Sequence, residues 1–231
     1  MEMLNAVDLY LLHLINAPAG QWPAFDRFIN TLRDGALLKA GPLVILWWWL
    51  WITRRNDSAA RATLLAVLLV SVPAIAMGRL LALTLPYRDR PIHDPAVTIN
   101  LPVDMPERML TGWSSMPSDH AVMFVSISVA LFFVGRAVGI SALTFAVVVV
   151  CLPRIYSGLH YPSDILVGAM VGALVALALV PLMSRLLHRL NLDAPSPLRQ
   201  ANLAVIAALM SLNIATMYEF PRGVLISLGL Y

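Results

Sequence analysis

Six stretches of this chain, about Ala36–Thr53, Ala62–Leu85, Ser118–Gly135, Ala137–Pro153, Ile165–Met183 and Ala201–Met217, are poor in charge and close to bilayer-spanning length. A spanning helix takes about 17–25 predominantly apolar residues. Inside hydrocarbon every backbone polar group must be paired, so such stretches are helices before they are anything else. Composition agrees: 59% of the residues are hydrophobic and 13% charged. Soluble domains run nearer about 45–50% apolar and about 25% charged. A soluble fold of this length could not bury the excess, so the bilayer acts as part of the solvent. The expected architecture is an all-α integral membrane protein, a bundle of six transmembrane helices forming one domain over residues 1–231. Pro42, Pro73 and Pro181 fall within or at the ends of spans, where membrane helices tolerate them. The "WWWLW" run at 47–51 reads as an interfacial aromatic belt.

Residues 1–34 precede the first span. Leu4, Val7, Leu11, Leu12 and Ile15 alternate with Glu2, Asn5 and Asp8 at helical spacing, which predicts an amphipathic helix lying in the membrane interface, with a short spanning or re-entrant segment as the alternative. The first arginine is Arg27, so this segment lacks the basic start of a signal peptide. The one cysteine, Cys151, sits in an apolar run and reads as filler.

The formal net charge is +3, and Lys39 is the only lysine among 16 basic residues. The arginines are scattered rather than clustered, which argues against a nucleic-acid surface. A planar guanidinium does suit anionic oxygens such as phosphate. If all six stretches span, the connections fall into two sets. "RRNDSAAR" (54–61), "GRAVG" (135–139) and the segment 184–200 are short, basic and chemically plain. The long loop 86–119 and "PRIYSGLHYPSD" (153–164) lie on the opposite side and hold most of the reactive side chains. With Arg79, Arg88, Arg90 and Arg154 set aside as functional, the plain loops carry more positive charge, which places them in the cytoplasm.

In the second of these loops His160 and Asp164 are four residues apart, with Pro162 placed to open the next helix. A carboxylate at that spacing can hold Nδ1–H and leave Nε2 bare and nucleophilic. Arg154 adds a permanent charge. The first loop offers Arg88, Arg90 and then Ser118-Asp119-His120. Ser118 can cap the following helix, whose first-turn N–H groups would cradle a phosphate, with His120 beside it to protonate a departing oxygen. These residues describe phosphoryl transfer without a metal or other cofactor.

"PSDH" at 117–120, the Arg-x5-His-x3-Asp of 154–164 and "RP" at 90–91 together resemble the three sequence elements of the type 2 phosphatidic acid phosphatase superfamily. The order and the helical layout agree over most of the chain. The resemblance implies that His160 attacks phosphorus to form a phosphohistidine, that Asp164 orients it, and that His120 protonates the leaving oxygen. It implies that Arg90, Arg154, Ser118 and the backbone N–H of Asp119 hold the phosphoryl oxygens. Three positions depart from the family pattern. Leu83 stands where the first element has lysine, and Arg88 is the first choice to supply that charge by direct contact, with Arg79 second. Asp119 replaces a glycine, so its side chain must point away or pair with an arginine. Pro153 replaces a serine.

The resemblance implies a membrane lipid phosphatase; the absence of disulfides and the compact form suit a bacterial inner membrane, and the loop charges put the site on its periplasmic or extracellular face. The expected partners are a lipid phosphate and membrane lipids. Undecaprenyl diphosphate is the first-choice substrate, because "YRDRP" could neutralise a diphosphate; phosphatidylglycerophosphate and phosphatidate follow. A phosphotransferase and a non-catalytic lipid-binding or transport protein are the competing readings. His93, Asp94, Glu107 and Arg108 read as a solvated loop surface, His13 and His188 as interfacial, and Lys39 as a helix-end side chain reaching for the headgroups.

Overall fold

The computed structural model describes residues 2–106, 108–190 and 197–219, with residues 2–5 and 197–199 described by their backbone alone. All regular structure among them is helical. The elements are α1 (Glu2–Asn16), α2 (Pro23–Asp34), α3 (Ala36–Thr53), α4 (Ser58–Leu69), α5 (Ser71–Thr84), α6 (Asp119–Phe132), α7 (Arg136–Phe145), a π-helical turn Ala146–Cys151, α8 (Leu152–Tyr156), α9 (Pro162–Arg189) and α10 (Pro197–Ala215).

Four of these segments are long and apolar enough to cross a membrane: Ala36–Thr53, Ser58–Thr84, Arg136–Tyr156 and Pro162–Arg189. Each of the six expected stretches is helical, but Asp119–Phe132 and Gln200–Ala215 fall short of a full span. Local chemistry explains two irregularities. Pro73 cannot donate to the Leu69 carbonyl, and the 58–84 span is broken at Val70. Pro153 removes another donor, and just before it the chain widens so that Leu152 N–H bonds the Val147 carbonyl five residues back.

α6 is the central element. Ala121, Val122, Met123 and Phe124 have no exposed surface, as befits a helix that is apolar on every side. α9 runs along it, and the approach is set by glycine. A methyl group on Gly172 would stand 2.2 Å from the Val122 carbonyl oxygen, and one on Gly168 would stand 2.7 Å from that of Ser118. Small residues four apart let membrane helices pack backbone to backbone. The consequence for function is that the first turns of α6 and α9 lie side by side, with Ser118 N–H donating to the Asp164 carbonyl at 3.2 Å.

α1 is a helix, as expected, but its polar residues Asp8 and Asn16 face the protein. Asp8, Leu12 and Asn16, spaced by four, are buried, while Val7, Tyr10 and Leu14 are more than half exposed. Asn16 donates to the carbonyls of Asn100 and Tyr156, both at 2.8 Å. The tryptophan run also differs from a simple belt. Trp49 points outward, but Trp47 and Trp51 are buried and stacked on each other at 5.1 Å. Cys151 is a buried free thiol.

Candidate active site

His160 sits in the turn between α8 and α9, almost wholly buried. Its Nδ1 lies 2.8 Å from the Ser115 carbonyl oxygen and 3.6 Å from an Asp164 carboxylate oxygen. Its Nε2 lies 3.2 Å from Arg90 Nη1. A guanidinium has no lone pair to offer, so Nε2 is the acceptor and the ring proton is on Nδ1, donated to Ser115. Burial, reinforced by the Arg90 charge and opposed by Asp164, pushes the imidazole down to about 4. His160 is therefore a neutral ring with an in-plane lone pair on Nε2.

Asp164 fixes this arrangement from the third residue of α9. Its Oδ2 accepts from Tyr161 N–H at 2.7 Å and from the Ser115 hydroxyl, and its Oδ1 accepts from Arg88 Nη1 at 2.8 Å. Arg88 is thus committed behind the carboxylate. It also donates to Ser163 Oγ at 2.7 Å and Asp8 Oδ2 at 2.7 Å, and its guanidinium lies over the Tyr161 ring. Arg88, the first choice for direct phosphate contact, does not line the cavity that holds the two histidines; three of its N–H donors are turned to Asp164, Ser163 and Asp8.

His120 stands in the first turn of α6, stacked on Phe124. Its Nε2 is 2.6 Å from Arg154 Nη2, and Arg154 also donates to the Arg33 carbonyl at 2.9 Å. Each histidine therefore turns Nε2 toward a different arginine. Arg90 is locked by its other bonds to the carbonyls of Leu159, Trp113 and Ser114. Ser118 was expected to cap α6, but its side chain makes no capping bond. Its fully buried Oγ and the Arg154 Nε have no hydrogen-bond partner among the described residues. The α9 start, in contrast, is filled by the carboxylates of Asp164 and Asp8. Of the two adjacent helix ends, α6 is the one whose positive pole remains available to an anion.

One cavity of ≈ 530 Å³ joins these groups: His120, His160, Arg90, Arg154, Arg79 and Asp119 all line it. Asp119 pairs with Arg79 at 2.9 Å, the arrangement its replacement of glycine required, and Arg79 lies over the Trp113 ring at 4.3 Å. Leu83 is 82% exposed on the outer side of α5, whereas Arg79, one turn earlier, faces the cavity. Arg79, the second choice for the missing cation, is thus the one of the two that lines the cavity.

A family model described as the PAP2 superfamily matches residues 85–187, the stretch that carries all three sequence elements. Residues 85–187 belong to the PAP2 superfamily. Over 88 residues the chain is 41% identical to the decaprenylphosphoryl-5-phosphoribose phosphatase of Mycobacterium tuberculosis, covering 38% of this chain and 44% of that one. The chain thus matches less than half the length of that relative. It is 28% identical to the lipid A 1-diphosphate synthase of Escherichia coli, over 82% of each chain. It is 25% identical to the provisionally named undecaprenyl-diphosphatase YbjG of Escherichia coli, over 81% of this chain and 88% of that one.

Several residues around the PAP2 cavity escaped the sequence reading. Ser115 offers His160 its main-chain carbonyl, which no side-chain pattern advertises. Lys39 and Arg33 line the cavity from outside the matched region, although Lys39 was expected to reach for headgroups. Among the loop residues read as surface, Asp94 accepts from the Tyr161 hydroxyl at 2.8 Å and His93 Nε2 lies 2.9 Å from the Met109 carbonyl. Glu107 lies outside the described residues. Of the nine predicted site residues, His160, His120, Arg90, Arg154, Asp119 and Arg79 line the cavity; Ser118 and Asp164 adjoin its histidines, and Arg88 stands behind.

Proposed function

We propose that this protein is a membrane lipid phosphatase that hydrolyses a lipid phosphate or diphosphate through a phosphohistidine on His160. The observation that carries this reading is the pairing of two imidazoles in one cavity, each with Nε2 toward a different buried arginine. A phosphoryl group placed there would take the N–H donors of Arg90 and Arg154, the unpartnered Ser118 hydroxyl and the first-turn N–H groups of α6. His160 Nε2 attacks phosphorus while the bond from phosphorus to the leaving oxygen breaks. His120, its imidazolium stabilised by the bound anion, gives its proton to that oxygen. Asp164 and the Ser115 carbonyl hold the Nδ1 side as positive charge grows on the His160 ring. Water, giving a proton back to His120, then attacks phosphorus; the P–N bond breaks and inorganic phosphate leaves. The positive charge needed at the phosphoryl oxygens comes from arginine side chains, and activity in EDTA is the expectation.

A polyprenyl diphosphate such as undecaprenyl diphosphate is the leading substrate, with phosphatidylglycerophosphate and phosphatidate behind it. The naming of two relatives for polyprenyl-linked phosphates supports that order, as do the additional cations Arg79 and Lys39 at the cavity. All six apolar helices cross a bacterial inner membrane in this reading, and the site opens on the non-cytoplasmic face. Phosphotransfer is the second reading, favoured by the synthase that matches over 82% of each chain; a lipid hydroxyl or phosphate would then replace water.

Purified protein given undecaprenyl diphosphate in detergent, with no other acceptor, is expected to release inorganic phosphate, and H160A to release none above background. Phosphate release that appears only when a lipid acceptor is added would favour the transferase. Undiminished release by H160A would overturn the mechanism.

A further inference from the structure

The charge behind the nucleophile is anchored by a residue more than 150 positions away, on a helix outside the PAP2 match. Asp8 of α1 is 6% exposed and makes three bonds. Its Oδ1 accepts the Ser163 backbone N–H at 2.8 Å, and its Oδ2 accepts Ser163 Oγ at 2.6 Å and Arg88 Nη2 at 2.7 Å. Ser163 is the second residue of α9, so Asp8 caps that helix from another part of the chain, a task its N-terminal neighbour Tyr161 could not perform for that N–H. Arg88 in turn bridges Asp8 to Asp164, whose carboxylate stands beside His160.

We propose that Asp8 is a positioning residue for the phosphoryl-transfer site: from α1 it holds Arg88 and the first turn of α9, and so fixes Asp164 against His160. The proposal rests on the phosphatase reading, and it makes α1 part of the working site. Charge balance shows why a carboxylate is needed. Asp8, Arg88 and Asp164 together carry one net negative charge; without Asp8 the group is neutral. Attack on phosphorus places positive charge on the His160 ring, which that negative charge stabilises. The other charges facing the ring are Arg90 from the long loop and Arg154 from α8. Asp94 reaches the cluster only through the Tyr161 hydroxyl, and Arg88 covers the face of that ring.

Wild type, D8N and D8E are compared for kcat, KM, the pH profile of kcat/KM and the thermal midpoint. D8N keeps an oxygen for the Ser163 N–H and removes the charge. It is expected to lower kcat on the order of 10- to 100-fold with KM nearly unchanged, and to move the acid limb to lower pH, because an imidazolium becomes harder to form. D8E is expected to recover part of kcat. Wild-type kcat in D8N would overturn the proposal. So would a loss that follows the thermal midpoint while the pH profile stays in place, since that is a merely structural role. If wild type hydrolyses no lipid phosphate, the functional reading has failed, and histidine 15N NMR then decides on Asp8. A His160 midpoint lower in D8N than in wild type upholds the positioning role, and an unchanged midpoint sinks it.

Discussion

The Ser118 hydroxyl and the Arg154 Nε lie buried with no hydrogen-bond partner among the described residues. An unsatisfied buried polar group costs about 1–3 kcal/mol, a cost that the oxygens of an anion bound as proposed would remove. Neither would be predicted from sequence as an orphan, because Ser before a helix reads as a cap. His160, Asp164, His120 and the arginines were legible because their spacing is chemically meaningful on its own. The Ser115 carbonyl was not, since a backbone oxygen carries no residue signature. Arg88 was preferred for direct contact because it lies in the loop, and loop position says nothing of which way a guanidinium turns; here it turns to Asp164, Ser163 and Asp8. The His160 environment makes a prediction of defined sign. A lowered imidazole stays neutral down to about pH 4, so the nucleophile is available above that value and lost only as pH falls through it. After allowance for the substrate's own phosphate ionisation near about pH 6, the acid limb of kcat/KM is expected near 4. A limb near the ordinary histidine value of about 6.5 would contradict the buried, neutral ring.

At the scale of elements, the site is a by-product of how α6 and α9 meet. Hydropathy located the helices, and Pro162 marked the start of α9, but hydropathy cannot say which helix is central. The closeness of α6 and α9 depends on Gly168 and Gly172, a pair whose meaning appears only once the facing backbone is known. G172V would drive a side chain into the Val122 carbonyl, 2.2 Å from the first added carbon. We expect it to lower stability by at least the ~1–3 kcal/mol typical of overpacking and to abolish activity by separating the two helix starts. G41A is the matched control, because nothing lies within 4 Å of a methyl group there. Thermal midpoints and phosphate release measured on both variants check this: equal behaviour of the two would show that the close packing is not needed. The α1 pattern was also half legible. The segment is helical, yet Asp8 and Asn16 turn inward to protein partners while Val7, Tyr10 and Leu14 are exposed.

For the molecule as a whole, residues from α2, α3, α5, the long loop, α6, α8 and the turn before α9 line one cavity, while Asp8 of α1 and Asp164 of α9 stand behind it. Sequence order kept the two histidines 40 residues apart; the bundle joins them by packing the helix starts that carry them. In the proposed mechanism His160 takes the phosphoryl group while His120 serves the leaving oxygen. Trapping tests it most directly: protein mixed with labelled lipid diphosphate, quenched in base to preserve phosphohistidine, digested and mapped by mass spectrometry. Phosphate is expected on His160 and nowhere else, and absent in H160A. Label on His120, or full turnover with no phosphohistidine on either ring, would contradict it.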